Sequence, residues 1–134
     1  MVPTKKLFEN EIYLNKIYTL LEELDIIPNK INPYLLAFVH RSLVNEKPDL
    51  SSHHNERLEF LGDAVLELVI TNNLFIDFPN KTEGELTDYR SLIVKGKNLA
   101  LVSRKLDFSN YLILGKGEEL SGGRNNDYLL ANCV

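Results

Sequence analysis

The stretch "HNERLEFLGDAVLEL", residues 54–68, sets Glu56, Glu59, Asp63 and Glu67 among Leu, Phe, Val and Ala. Its apolar residues recur with a helical period, and the pattern runs over about 55–77 before Pro79 stops it. Positions three and four apart share a helix face, so the four acids form one stripe on what looks like a core helix. Like charges at that spacing destabilise a helix by a few tenths of a kcal/mol each, roughly, and apolar surroundings disfavour the ionised form further. The helix dipole welcomes acids in the first turn, which accounts for Glu56 but not for the deeper Asp63. Two readings remain open from spacing alone. One is a solvated acidic face. The other is a site for a hard divalent cation such as Mg²⁺, which takes one or two carboxylates together with water and substrate phosphate. Gly62, beside Asp63, costs a helix interior about 1 kcal/mol against Ala, which suggests a close approach there by another helix or a ligand.

Working outward, nearly every periodic segment is helical. Residues 8–24 carry Ile17, Leu20, Leu21 and Leu24 on one face. Asn32 and Pro33 suit the N-cap and first position of a helix over about 33–44, with Leu35, Leu36, Val39 and Leu43 inward. A polar loop, "NEKPDLSSHH", leads to the acidic helix. After it, Thr82 and Glu85 have the spacing of a capping box, opening a helical stretch over about 84–105 with a break or kink at Gly96. The Gly-rich "LGKGEELSGGRNN", 114–126, reads as a loop, and a last helix begins after about Asn126. "YLIL", 111–114, is too short to assign to a strand. The expected fold class is all-α, one domain over residues 1–134 with an N-terminal helical segment over 1–30.

Composition narrows the function classes. The chain has 134 residues, 44% of them hydrophobic, enough for a packed core. No apolar run is long enough to span a bilayer and the N-terminus lacks a secretory apolar region, so no membrane association is expected. Cys133 stands alone, which excludes an internal disulfide and suits a reducing, cytoplasmic setting. The formal net charge of -4 is unlike a freestanding nucleic-acid binder. A polyanionic partner would need positive charge from bound metal, a local patch or another domain.

"NERLEFLGDAVLEL" resembles the signature of the ribonuclease III family, bacterial type. The similarity continues through "HRS" at 40–42, "EGELTDYRSLIVKGKNLA" at 83–100 and "LGKGEELSGGRNNDYLLAN" at 114–132, in order from about Leu35 to the C-terminus. The resemblance implies an all-α endonuclease domain that forms a homodimer and cleaves double-stranded RNA with Mg²⁺, Mn²⁺ being the possible substitute. Each protomer would cut one strand, leaving short 3′ overhangs. By motif position, Glu59 and Asp63 resemble the metal ligands, Glu56 a catalytic acid of the same cluster, and Glu83 a supporting acid. The RNA-contacting residues are not assigned. His40 and Arg41 read either as phosphate contacts or as helix-end residues, and "SGGR", 121–124, either as a phosphate cradle or as a plain connection. His53 and His54 read as loop residues, and Cys133 as a core residue.

The sequence departs from the family at its metal site. The family completes that site with Ala-Asp-x-x-Glu on a later helix. Here Asn132 stands at the Asp position, as a catalytic and metal-site position with a neutral amide, and the chain ends before the Glu. The chain is therefore expected to be cut within its last acidic helix, to be a poor or inactive nuclease, and to be a monomer or weak dimer. Three origins of Asn132 stay open: an engineered inactivation, a natural non-cutting member, or a site whose remaining ligands lie further along the protein. The alternative function is a catalytically silent RNA-binding or dimerisation module. Bacterial relatives carry a C-terminal double-stranded-RNA-binding domain, which the resemblance leads us to expect in the full protein.

Overall fold

A computed structural model describes residues 5–134. Among these residues the architecture is helical throughout, as expected, with a single isolated parallel bridge between Val39 and Ile113. The first helix is two: α1 (Lys5–Phe8) and α2 (Glu11–Glu23), separated because the Asn10 side chain accepts from the Ile12 and Tyr13 amides and starts a new helix. Residues 1–4 of the expected N-terminal segment lie outside the described residues. The face of α2 that buries Ile17, Leu20 and Leu21 is the one read from the period.

The expected helix over 33–44 is broken into α3 (Asn32–Ala37) and α4 (Arg41–Glu46). Its start also differs: Asn32 lies inside the helix, and Ile31 occupies the cap position without a side-chain bond. The break has a distant cause. Ile113 donates its amide to Phe38 O at 2.9 Å and accepts that of His40 at 3.1 Å, which pulls residues 38–40 out of the helical ladder. The inward residues nevertheless hold, because Leu35, Leu36, Val39 and Leu43 are all buried. They join Leu7, Leu20, Leu21, Ala100, Leu112 and Leu130 in one core, where the Phe38 ring meets Phe108 edge-on at 5.2 Å.

The acidic helix, α5 (Glu56–Asp77), is not a core helix in this chain. Leu74 is its only buried residue, while Phe60, Leu68 and Phe75 are 82%, 70% and 71% exposed. It packs along α6 (Glu83–Ile93) and touches α3 at its other end, leaving the remaining faces open. The Thr82 cap is present as expected: Thr82 Oγ1 accepts from Glu85 N, and Glu85 returns an acceptor to Thr82 N. The break at Gly96 is also observed, with α7 (Gly96–Lys105) following α6.

Segment 114–126 corrects the loop expectation, since it contains α8 (Lys116–Leu120) and a 3-10 turn at Gly123–Asn125. Glu46 on α4 is the reason. Its carboxylate accepts from the amides of Lys116 at 2.6 Å and Gly117 at 2.9 Å, capping a helix that has no cap of its own. These bonds hold the Glu46 carboxyl below the ordinary glutamate range. Gly115 fits because a Cβ there would sit 2.6 Å from Ser42 O. Gly122, at φ +86°, makes the left-handed turn that follows. The last helix, α9 (Asp127–Ala131), packs along α7 and starts where expected, with Asn126 accepting from Tyr128 N and Leu129 N. Among the described residues no helix is long and apolar enough to cross a membrane.

Candidate active site

The N-terminal half of α5 faces the end of α9 across an open cleft of about 960 Å³. The start of α5 is placed by Asn55. Its backbone amide donates to Val39 O at 2.9 Å and its side chain to Ala37 O at 3.1 Å, so the buried Asn55 ties the helix to the α3–α4 junction instead of capping it. On the other wall, Arg104 of α7 bonds both Asn125 O and the Asp127 carboxylate, fixing where α9 begins. Ala100 and Ser103, both fully buried, let α9 approach α7 closely.

Glu56, Glu59, Asp63 and Asn132 all line this cleft. One wall therefore carries three acids of the stripe and the other carries the amide. Glu67 and Glu83 are not among the lining residues; Glu83 is exposed at the start of α6, beside the far end of α5. Gly62 also lines the cleft, and a Cβ there would meet nothing within 4 Å, so among the described residues no helix makes the close approach suggested by the sequence.

The acids differ in their surroundings. Glu56 lies 3.4 Å from Arg41 and 3.9 Å from His54, an exposed and partly compensated position. Glu59 has no such partner. Partial burial, then the charges of Glu56 and Asp63, push its carboxyl above the ordinary glutamate range. The buried Cys133, just past α9 at the cleft lining, has its thiol pushed up to about 12 by burial and then by the Glu59 charge, and it donates to Leu129 O. It is an inert core residue, as read from the sequence.

Among the described residues no group of three or more His, Cys, Asp and Glu side chains converges to hold a metal. Glu59, Asp63 and Asn132 bring two carboxylates and one amide to the cleft lining. Mg²⁺ accepts one or two carboxylates when water and phosphate fill its other positions, so this set fits the ion, with less charge than a third carboxylate would bring. The uncompensated Glu59 is the group that a cation would relieve.

Two side chains from the segments with open readings, His40 and Arg124, have partners within the fold. His40 is the N-cap of α4, where Nδ1 accepts from Ser42 N and meets Ser42 Oγ at 2.8 Å, and Ser42 Oγ in turn accepts from Gly115 N. Desolvation, partly opposed by Glu118, holds the His40 ring below its ordinary value, so it stays neutral and can accept. Arg124 of "SGGR" is occupied by Ser109 O, Leu112 O and the Glu119 carboxylate. The position that sequence reasoning missed is Asn55, which sits inside the quoted motif and holds the start of α5 to the α3–α4 junction.

The family model for Ribonuclease-III-like proteins matches residues 32–134. Ribonuclease 3 of Streptococcus uberis is 55% identical over 96 residues, 72% of this chain and 42% of that protein. Ribonuclease 3 of Streptococcus pyogenes serotype M1 is 50% identical over 108 residues, 81% of this chain and 47% of that protein. The chain thus spans less than half the length of these curated relatives. Among solved structures, the nuclease domain of ribonuclease III from Campylobacter jejuni matches with a TM-score of 0.79 at 33% identity, covering 87% of this chain and 78% of the other. That structure was described for flexibility in the region involved in dimer formation, and a second structure of the same domain matches at a TM-score of 0.77. The helical architecture, the acid-lined cleft and these likenesses agree that the chain belongs to the Ribonuclease-III-like family and has the fold of its nuclease domain.

Proposed function

We propose that the chain is the catalytic part of an Mg²⁺-dependent, double-strand-specific endoribonuclease acting in the cytoplasm, with its activity impaired by Asn132. The observation that carries this reading is the cleft that brings Glu59 and Asp63 opposite Asn132. Glu59, Asp63 and Asn132 would hold the ion, and Mn²⁺ would fit the same oxygens. When bound, Mg²⁺ supplies an activated water and offsets charge on the phosphate in phosphodiester hydrolysis, the product ends being short 3′ overhangs. The chain's own contribution is positional. Asn55 holds the start of α5, and the Arg104–Asp127 pair holds the start of α9. Glu56, balanced by Arg41, adds negative charge beside Glu59. Glu83 is kept as a supporting acid on its motif position alone.

In the intact protein we place a second copy against the exposed apolar face of α5, and a double-stranded-RNA-binding domain after the nuclease domain. The dimer rests on that face and on the dimer-forming region named for the Campylobacter domain. The binding domain rests on the resemblance alone; the relatives' extra length leaves room for it. A second reading, a non-cutting RNA-binding or dimerisation module, is favoured by one observation: the α9 wall offers an amide where the family has a carboxylate.

The test is cleavage of a perfect RNA duplex in Mg²⁺ by the natural-length protein with Asn132 and with Asn132→Asp, using Asp63→Asn as the blank. Faster cutting by Asn132→Asp supports an impaired nuclease. Equal cutting by both shows that the amide suffices. Binding without cutting by either gives the second reading.

A further inference from the structure

We infer that Lys97, on the first turn of α7, is the residue that holds a backbone phosphate of the RNA in this cleft, an inference that rests on the RNA reading above. Lys97 lines the cleft with Glu59 and Asp63 and is the only lysine or arginine among its lining residues. Among the described residues Arg57 and Lys95 have no ion pair, but neither lines the cleft. Arg41 is paired with Glu56, and Arg104 with Asp127, which compensates those two acids locally. Lys97, by contrast, has no carboxylate within ion-pair distance among the described residues. It is an exposed ammonium facing the same space as two uncompensated carboxylates without closing on either of them.

That arrangement has a chemical consequence. A phosphodiester entering the cleft meets repulsion from Glu59 and Asp63, and the chain as a whole carries a net charge of -4. Apart from the ion proposed above, attraction must come from the chain itself, and the only positive side chain on the lining is Lys97. A lysine ammonium is a compact point charge on a flexible stem, suited to holding phosphate without reading sequence. It leaves Glu59, Asp63 and Asn132 to the scissile phosphate and takes a neighbouring one, setting the register of the strand along α5. Lys105, exposed at the other end of α7 and outside the cleft, has the same charge without this position.

The experiment measures binding of a labelled perfect RNA duplex by fluorescence anisotropy in Mg²⁺, at several salt concentrations, with the RNA checked afterwards for cleavage. The proteins are the wild-type chain, Lys97→Gln, Lys97→Arg and Lys105→Gln, each confirmed folded by circular dichroism. Each phosphate contact adds about 0.9 to the slope of log affinity against log salt, so losing one reduces the weakening between about 50 and 200 mM salt by roughly 3.5-fold. The expected result is that slope change for Lys97→Gln, its restoration in Lys97→Arg, and none in Lys105→Gln. An unchanged slope in Lys97→Gln, or an equal loss in Lys105→Gln, overturns the assignment while leaving the RNA reading intact. No binding by the wild-type chain overturns both.

Discussion

Glu59 concentrates the energetics of the site in one residue. Its carboxyl is held above the ordinary range by burial and by the charges of Glu56 and Asp63. The folded chain therefore binds this proton more tightly than the unfolded chain does. The group favours folding below the ordinary glutamate pKa, and that contribution is lost as pH rises through the raised value. Glu59→Gln should then melt at a higher temperature than wild type at pH 7, with the gain shrinking below about pH 4, where an unperturbed glutamate is itself protonated. Thermal unfolding followed by circular dichroism across that range decides it. A variant that melts lower at pH 7 would show that the Glu59 carboxylate is compensated after all. Added Mg²⁺ should raise the wild-type melting temperature more than that of Glu59→Gln, because only wild type keeps both carboxylate donors.

At the scale of the elements, two glycines separate helix-breaking cost from packing need. Gly62 lies in the middle of α5 with open space where a Cβ would go. Gly62→Ala should stabilise the isolated chain by up to about 1 kcal/mol, a rise of roughly 2–4 °C in Tm, through helix propensity alone. Gly115, at the start of α8, has the opposite surroundings: Ser42 O and the Glu46 carboxylate would lie 2.6–2.8 Å from an added Cβ. Gly115→Ala should cost about 1–3 kcal/mol, because α8 must move off α4 to make room. Chemical denaturation of both variants at low protein concentration reads the two signs. The acidic motif was legible in the sequence because its period is local. The α8 helix was not, because its cap comes from Glu46, on the far side of the core in sequence.

For the whole molecule, the exposed face of α5 is the largest departure from the sequence reading. Leu, Phe, Val and Ala recurring with a helical period made α5 look like a core helix, and Phe60, Leu61, Val65, Leu68 and Val69 are all exposed instead. A contiguous apolar face of this kind is covered in most proteins. Sedimentation velocity should show concentration-dependent association of the wild-type chain, and Leu68→Glu should remove it while leaving the helical circular dichroism unchanged. A wild-type chain that stays monomeric across micromolar concentrations would count against a second copy on this face.

The sequence by itself determined the helical class, the spacing of the acid stripe, the Thr82 capping box, the start of the last helix after about Asn126 and the likeness to the family. The structural readings depend on residues within a turn or two of one another, where period and side-chain capping act directly, and the likeness depends on the order of residue types along the chain. Only the tertiary structure decided that Ile113 splits the segment 33–44, that Glu46 builds a helix from a Gly-rich stretch, and that α5 is open along most of its length. It alone also placed Lys97, Glu59, Asp63 and Asn132 on the lining of one cleft. These depend on contacts between segments far apart in the chain, whose hydrogen bonds and charges leave no local period to read.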